Sequence, residues 1–389
     1  MHQSAIKKIL GLVLTSITSI LIAFLIEIAS SVIRIFEDLQ SSFENYDFTD
    51  HYFYSKYTSE PYPRDTNIVF VNIGEYGRSE IAEIITIVNM FDPRVIGLDV
   101  RFRSLQNDPA DTLLRNAIIK SKNLVLTKRY DLYTETFVET HPFIRQNAEV
   151  GLSNFNIEEN FTVRSFYPFF LKDSIVYQHL AVSIVELFDP QKIKKLKKRN
   201  RKLEYIYYRY NIDKAGFSGY KYFEYDDLVH PDFYKQELEG KIVIIGFLGD
   251  PEFPHSIESK QYSQLNESPF KRTAKDMYNA VIIGNIISMI LDESYIYSYR
   301  ILDHSLTFLL LLLMCYLFSL MFKNRFYQLW SKLLVFIAIL VFWLLSFILF
   351  EKFTLKIDLR YFYFFLLFAP DTYEILHRNV FPKIGLGSS

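Results

Sequence analysis

The apolar residues of this chain gather in long runs near its two ends. Ile9 to Ile26 is 18 residues without a charge, as are Ser305 to Phe322 and Leu333 to Phe350. A helix of that length, with its flanks, crosses a hydrocarbon core of ~30 Å. The runs therefore predict a membrane-held protein whose mostly polar middle folds in water. A fourth span is expected over 357–376, although Tyr361 to Pro370 supplies only ten uncharged residues between Arg360 and Asp371.

The basic residues set the expected orientation. Lys7 and Lys8 precede the first span, Lys323, Arg325 and Lys332 sit between the second and third, and Arg378 and Lys383 follow the last. Keeping all three groups in the cytoplasm satisfies the positive-inside rule and places the middle domain outside. The expected organisation is a cytoplasmic N-terminus (1–8), a first span (9–33), an extracytoplasmic domain (34–300), spans at 301–322, 333–350 and 357–376, and a cytoplasmic tail (377–389). The tail is short, so any output is expected from a separate protein. The first run reads as an uncleaved anchor; cleavage after the small residues at Ala29 to Ser31 is the alternative.

Net charge is −1, so no global field argues for nucleic acid. Cys315, the one cysteine, lies inside an apolar run, so the outer domain has no disulfide, which fits a bacterial inner membrane. Eight Lys or Arg crowd Lys192 to Lys202, followed by Tyr205, Tyr207, Tyr208 and Tyr210. Basic residues beside aromatics invite an anionic-glycan or nucleic-acid reading; a solvated helix end and a tyrosine-rich hairpin is the plainer one.

In the middle domain, short apolar runs alternate with helical periodicity. Strands are expected at Asn67 to Gly74, Arg94 to Asp99, Asn123 to Leu126 and Lys241 to Gly246, and helices over Arg78 to Phe91, Ala110 to Lys120, Ser174 to Leu187 and Ala274 to Leu291. Alternating strands and helices predict an α/β domain with a mostly parallel sheet covered on both faces.

In such a sheet, ligands bind beyond the C-terminal strand ends near a switch in strand order. Asp99 with Arg101, and Gly246 with Asp250, follow two strands; Glu75 and Arg78 follow the first. A carboxylate there can hold a cation or hydroxyls, and an arginine can clamp a carboxylate or phosphate; helix capping is the competing role. Enzyme signatures are missing. Gly246-Phe247-Leu248-Gly249-Asp250 lacks the Lys-Ser/Thr of a phosphate loop, and the histidines show no metal spacing. No catalytic residue, metal or cofactor is expected.

In the first span, Gly11, Thr15, Ser19 and Ala23 recur every four residues, with Glu27 continuing the row. Small residues in a row let helices approach closely in lipid. The face is a homodimer seam, a docking face for a partner span, or the contact with this chain's own C-terminal spans.

The ordered motifs NIVFVNIGE, RVIGLDVRF, SKNLVL, GLSNFNIEENFTVR, KIVIIGFLGD and KDMYNAVIIGNII, after one span and before a membrane hairpin and one more, resemble CHASE2. This extracytoplasmic sensory domain is found in bacterial receptors attached to adenylate cyclases and to histidine and serine/threonine kinases. The resemblance covers about residues 40–375. It implies that Asp99 with Phe102 stands for the family's Asp-x-x-Phe, that Asp111 and Leu114 open the second helix, and that Arg78 and Arg164 match family arginines. It also shows departures: Asn72 and Gly74 stand where aspartates are usual, Asn279 where histidine is, and Glu158-Glu159-Asn160-Phe161 replaces an acidic turn with glycine. The expected function is a sensory subunit working through a separate partner. The alternative is a scaffold of an inner-membrane complex. A transporter is a weaker third, since the spans carry few polar residues.

Overall fold

The first apolar run folds as one helix, α1 (His2–Val32). It is followed in the computed structural model by a helical segment, α2 (Phe48–Ser59), and then by the alternating strands and helices of the middle domain. The structure describes residues 2–32, 47–59, 63–158, 161–212, 219–249, 260–266, 274–384 and 386. The chain divides into two units, Asp47–Ile296 and the terminal segments Met1–Tyr46 with Tyr297–Ser389.

The middle unit is built on β1 (Ile68–Asn72), α3 (Arg78–Met90), β2 (Val95–Leu98), α4 (Pro109–Lys120), β3 (Leu124–Asp131), β4 (Thr136–Val138), a one-turn α5 (Pro142–Arg145) and β5 (Glu149–Leu152). Next come β6 (Phe155–Ile157), β7 (Val163–Phe166), β8 (Phe169–Lys172), β9 (Ile175–Gln178), α6 (Leu180–Phe188), α7 (Pro190–Arg199) and β10 (Glu204–Tyr205). The unit ends with β11 (Lys221–Phe223), α8 (Tyr225–Val229), β12 (Ile242–Gly246), β13 (Lys260–Gln261), β14 (Met277–Tyr278) and α9 (Asn279–Asp292).

The central sheet has seven strands in the order β11-β1-β12-β2-β3-β4, with β5 also on β3. Every pairing is parallel except β3 with β4. The strand periodicity explains the burial: β1, β2 and β12 are buried along their whole length, as expected of strands covered on both faces. On one face α3 contributes Ile81, Ile84, Ile85 and Val88 and α4 contributes Leu114, Ala117 and Ile118 to a core with Val69, Val71, Leu98 and Ile245. Each such Val, Leu or Ile side chain, fully buried, contributes about 1.5–3 kcal/mol. Helix α4 starts where its sequence directs, with Asp108 accepting from the Ala110 amide and Pro109 in the first turn.

The other face takes α6 and α9. A Cβ on Gly97 would lie 2.5 Å from Ile184 Cδ1, so glycine lets α6 seat closely on β2. The helix expected from Ser174 begins later. Ile175–Gln178 pairs antiparallel with Phe169–Lys172 through a two-residue turn in which Asp173 and Ser174 take φ of 49° and 64°. The paired left-handed conformation is that of a tight hairpin turn, and the helix starts only after His179. The tyrosine run is mostly interior: Tyr207, Tyr208 and Tyr210 are buried.

The terminal unit contains α1, β15 (Tyr297–Ser298), α10 (Arg300–Met321), α11 (Tyr327–Phe353), β16 (Leu355–Lys356) and α12 (Arg360–Ile375). Among the described residues, three helical segments are long and apolar enough to cross a membrane: Ile6–Leu25, Arg300–Met321 and Tyr327–Phe353. The fourth expected span is shorter. Helix α12 has 16 residues, about 24 Å, and a five-residue π-helical turn, Leu376–Val380, extends it to about 31 Å. Leu311, Cys315, Phe318, Phe362, Leu366 and Ala369 form the interior, while Leu313, Leu320, Phe336, Leu340 and Ile348 are exposed. Exposed apolar side chains on that scale suit contact with lipid rather than water.

Candidate functional site

Strand β12 lies between β1 and β2, so the chain leaves β1, skips one position to form β2, and fills the gap last. This is the switch in strand order beyond which a parallel sheet opens a crevice. The loops after β1, β2, β5, β11 and β12, the middle of β3 and the start of α9 carry the side chains of interest.

Asn72, at the end of β1, is buried and fully used. Its Nδ2 donates to both carboxylate oxygens of Glu224, at 3.1 and 3.0 Å, and to the Gly249 carbonyl at 2.9 Å. Its Oδ1 accepts from the amides of Gly74 and Leu248, at 3.1 and 2.8 Å. One amide thus ties together three loops. This is a job for an asparagine: the position meets a carboxylate and a carbonyl on one side and two N–H groups on the other, and an aspartate could not donate.

Asp99 follows β2, its amide bonded to the Ile245 carbonyl at 2.9 Å. A Cβ on Gly246 would lie 3.1 Å from the Ala280 Cβ and 3.5 Å from the Asp99 Cβ. The end of β12, Asp99 and the first turn of α9 therefore converge, and the absent side chain at Gly246 permits that close approach. The carboxyl of Asp99 is half-buried, and desolvation pushes its pKa up to about 6, against the opposing pull of Arg101 and Thr127. Arg101 is itself half-buried; desolvation, with Arg129 and Arg103 nearby, lowers its pKa against the pull of Asp99. Although each influences the other's ionisation, Asp99 and Arg101 do not close into an ion pair among the described residues. The guanidinium makes one long bond, Nη1 to Ser153 Oγ at 3.4 Å.

Three buried polar atoms belonging to residues around this crevice have no hydrogen-bond partner among the described residues: Arg101 Nε, Thr127 Oγ1 and Asn279 Oδ1. Thr127, on β3, is fully buried. Its hydroxyl is near enough to Asp99 to favour the ionised acid, yet makes no bond of ordinary geometry. Buried polar atoms are nearly always paired, so this group of orphans calls for an explanation.

The other expected ligand residues lie elsewhere. Arg78, at the start of α3, pairs with Asp111 of α4, donates from Nη2 to the Ser104 carbonyl at 2.7 Å, and covers the Phe102 ring at 5.6 Å. Asp111 also accepts from the amides of Gln106 and Asn107, at 2.8 and 3.1 Å. Burial opposes its charge, but these bonds hold its pKa below the usual carboxylate range. Arg78, Phe102 and Asp111 thus form a clamp on the loop that carries Asp99 and Arg101. Arg164, on β7, is buried against Asp50 and Glu158. Glu75 is exposed in the turn after β1. Asp250, Glu159 and Asn160 lie outside the described residues. Of the expected set, only Asp99 and Arg101 are found together with orphaned polar groups.

Thr127, Ser153 and Glu224 were not singled out from the sequence. Thr127 lies within β3, directly after its apolar run, and that position was its only signal. Among the described residues no group of three His, Cys, Asp or Glu side chains is arranged to hold a metal ion. In the terminal unit, Gly11, Thr15, Ser19 and Ala23 are buried; a Cβ added to Gly11 would lie 3.4 Å from the Phe381 ring, and Ser16 Oγ lies 3.5 Å from Cys315 Sγ. The side chain of Glu27 lies outside the described ones.

The family model of the CHASE2 domain matches residues 21–322, most of the chain. No curated protein and no solved structure matches it. The match runs from within the first apolar helix to the end of the second, and includes the switch crevice and the clamp beside it; the chain belongs to the CHASE2 domain family, a family of extracytoplasmic sensory domains.

Proposed function

We propose that this protein is a membrane-bound receptor subunit. Its outer domain binds a ligand at the switch crevice, and its helices pass the change to a separate output protein. The observation that carries this reading is the unclosed pair Asp99 and Arg101, set among orphaned polar atoms where a parallel sheet opens. A ligand shifts a two-state domain only by binding one state better, and unpaired buried groups are what such binding would satisfy. The proposed setting is a bacterial inner membrane crossed four times, α12 and its π-helical turn forming the last span. Both termini are cytoplasmic, in line with the basic residues Lys7, Lys8, Lys323, Arg325, Lys332, Arg378 and Lys383.

Isolation of the intact protein from its native membrane in mild detergent tests the reading. A kinase, cyclase or other signalling protein recovered in fixed ratio is the expected result. A stoichiometric structural or transport complex would overturn it and establish the second reading, a scaffold. Two observations favour that alternative. Arg78 and Arg164 are committed to internal ion pairs. The β8–β9 hairpin presents Leu171 and Val176 as an exposed cross-strand pair, and Leu132 and Tyr133 are exposed beyond β3. A homodimer recovered alone would also contradict the receptor-subunit reading.

A further inference from the structure

We infer that the ligand of the switch crevice is a small zwitterion of the α-amino-acid type, its ammonium held by Asp99, Thr127 and Asn279 and its carboxylate by Arg101. The inference rests on the proposed sensory reading and names the ligand class of the same site.

Charge comes first. Asp99 and Arg101 stand two residues apart after β2, oppositely charged and not joined to each other. A lone anion entering the crevice would satisfy Arg101 and repel Asp99; a lone cation would do the reverse. A molecule carrying both charges a few bonds apart complements both residues at once, and opposite charges matched pair by pair give selectivity as well as attraction.

Hydrogen-bond inventory points the same way. An ammonium has three donors and no acceptor, whereas a hydroxyl has one donor. The crevice offers three kinds of oxygen: the carboxylate of Asp99, which lacks an ion-pair partner among the described residues, and the orphaned Thr127 Oγ1 and Asn279 Oδ1. On the other side stands an arginine fork whose Nε is orphaned and whose Nη1 makes only the 3.4 Å contact with Ser153. A guanidinium in this state is suited to a two-pronged carboxylate contact. Arg103 and Arg129 add positive field beside Arg101 and favour an anion there. Glycine at 246 lets Asp99 and the start of α9 stand close together, since a Cβ there would press on Ala280.

The test uses the intact chain in lipid nanodiscs and follows its thermal unfolding in the presence of each free L-amino acid in turn. For every amino acid that acts, its α-amide and its N-acetyl derivative are compared. At least one amino acid is expected to raise the melting temperature by roughly 5 °C at saturation, and both derivatives are expected to lose the effect. Asp99→Asn, an isosteric change, and Arg101→Gln should each abolish the response. Arg101→Lys, which keeps the charge but not the fork, should weaken it at least about tenfold. Lys194→Gln, on the exposed face of α7, should leave it intact. Derivatives that act as well as their parents, or the failure of every amino acid, would overturn the inference. Stabilisation by inorganic phosphate or acetate alone, lost in Arg101→Gln, would overturn the zwitterion while leaving a sensory crevice in place. Loss of the receptor reading itself would instead show in the proteins recovered from the native membrane.

Discussion

Arg164 and Asp50, 114 positions apart, form a two-pronged buried ion pair: Nε donates to Oδ1 at 2.9 Å and Nη2 to Oδ2 at 2.5 Å. Gln264 donates to the same Asp50 Oδ1 at 2.9 Å and to Thr49 Oγ1 at 2.7 Å, and Glu158 takes the remaining arm of the arginine. The pair ties α2 to β7. Arg164 therefore works here as an internal fastener.

Removing one member leaves the other charged and buried, which costs about 3–5 kcal/mol. Arg164→Gln and Asp50→Asn are each expected to lower the unfolding free energy of the middle domain by that amount, read by urea unfolding. A change below about 1 kcal/mol would place the pair among ordinary surface ion pairs.

Asn72→Asp, a near-isosteric change, should destabilise this chain. The new carboxylate would face Glu224 and the Gly249 carbonyl without a proton to give. Losing the donor contacts to Glu224 and Gly249 and gaining a like charge is expected to cost about 2–4 kcal/mol at neutral pH. The double change Asn72→Asp with Glu224→Gln should recover part of it, which thermal unfolding of the three variants would show.

Asp99 gives a pH signature. Its pKa rises on folding, from 3.8 to about 6, so the native state holds the proton more tightly than the unfolded chain. Its burden on stability is absent below about pH 4, grows between pH 4 and 6, and is complete above. Asp99→Asn should therefore stabilise the domain at pH 8 by about 1–3 kcal/mol, and the gain should vanish near pH 4. The groups that act on Asp99 from its surroundings are Arg101 and Thr127. A stabilisation independent of pH would show that its charge is not strained.

His179 behaves oppositely. It caps α6, Nδ1 accepting from the Ala181 amide at 3.2 Å, and its ring packs between Phe155 and Phe166. Desolvation pushes its pKa down from 6.5 to about 3. The unfolded chain binds the proton first, so stability falls as pH drops from 6.5 toward 3, by up to about 1.4 kcal/mol per pH unit. His179→Asn keeps a capping side chain and removes the titration, and its acid-unfolding curve should be flatter than that of the parent. Between pH 4 and 6 the Asp99 and His179 slopes oppose each other, so each emerges most clearly in the variant lacking the other.

Much of the sheet was legible in the residues. The apolar run of β1 and the spacing of Ile81, Ile84, Ile85 and Val88 predict a strand and helix close to those found, because burial on both faces of a parallel sheet leaves a strong local pattern. The β8–β9 hairpin was not legible. Ile175 to Gln178 directly precedes a real helix, and only the left-handed turn at Asp173 and Ser174, which neither residue type demands, separates them. At the site, Asp99 and Arg101 could be picked out by their position after a strand. Thr127 could not, since it comes beside Asp99 only through strand order, which no local pattern encodes. Likewise, nothing near Arg164 in the chain announces Asp50.

The most direct measurement is the small-molecule content of the protein as it comes from its own membrane. The intact chain and the double variant Asp99→Asn with Arg101→Gln would be purified in parallel, denatured, and the released compounds compared by mass spectrometry. The account predicts a zwitterionic compound enriched with the parent protein and lost from the variant. Identical profiles from both, alongside a parent melting temperature that no amino acid or simple anion changes, would contradict a ligand site at the switch crevice.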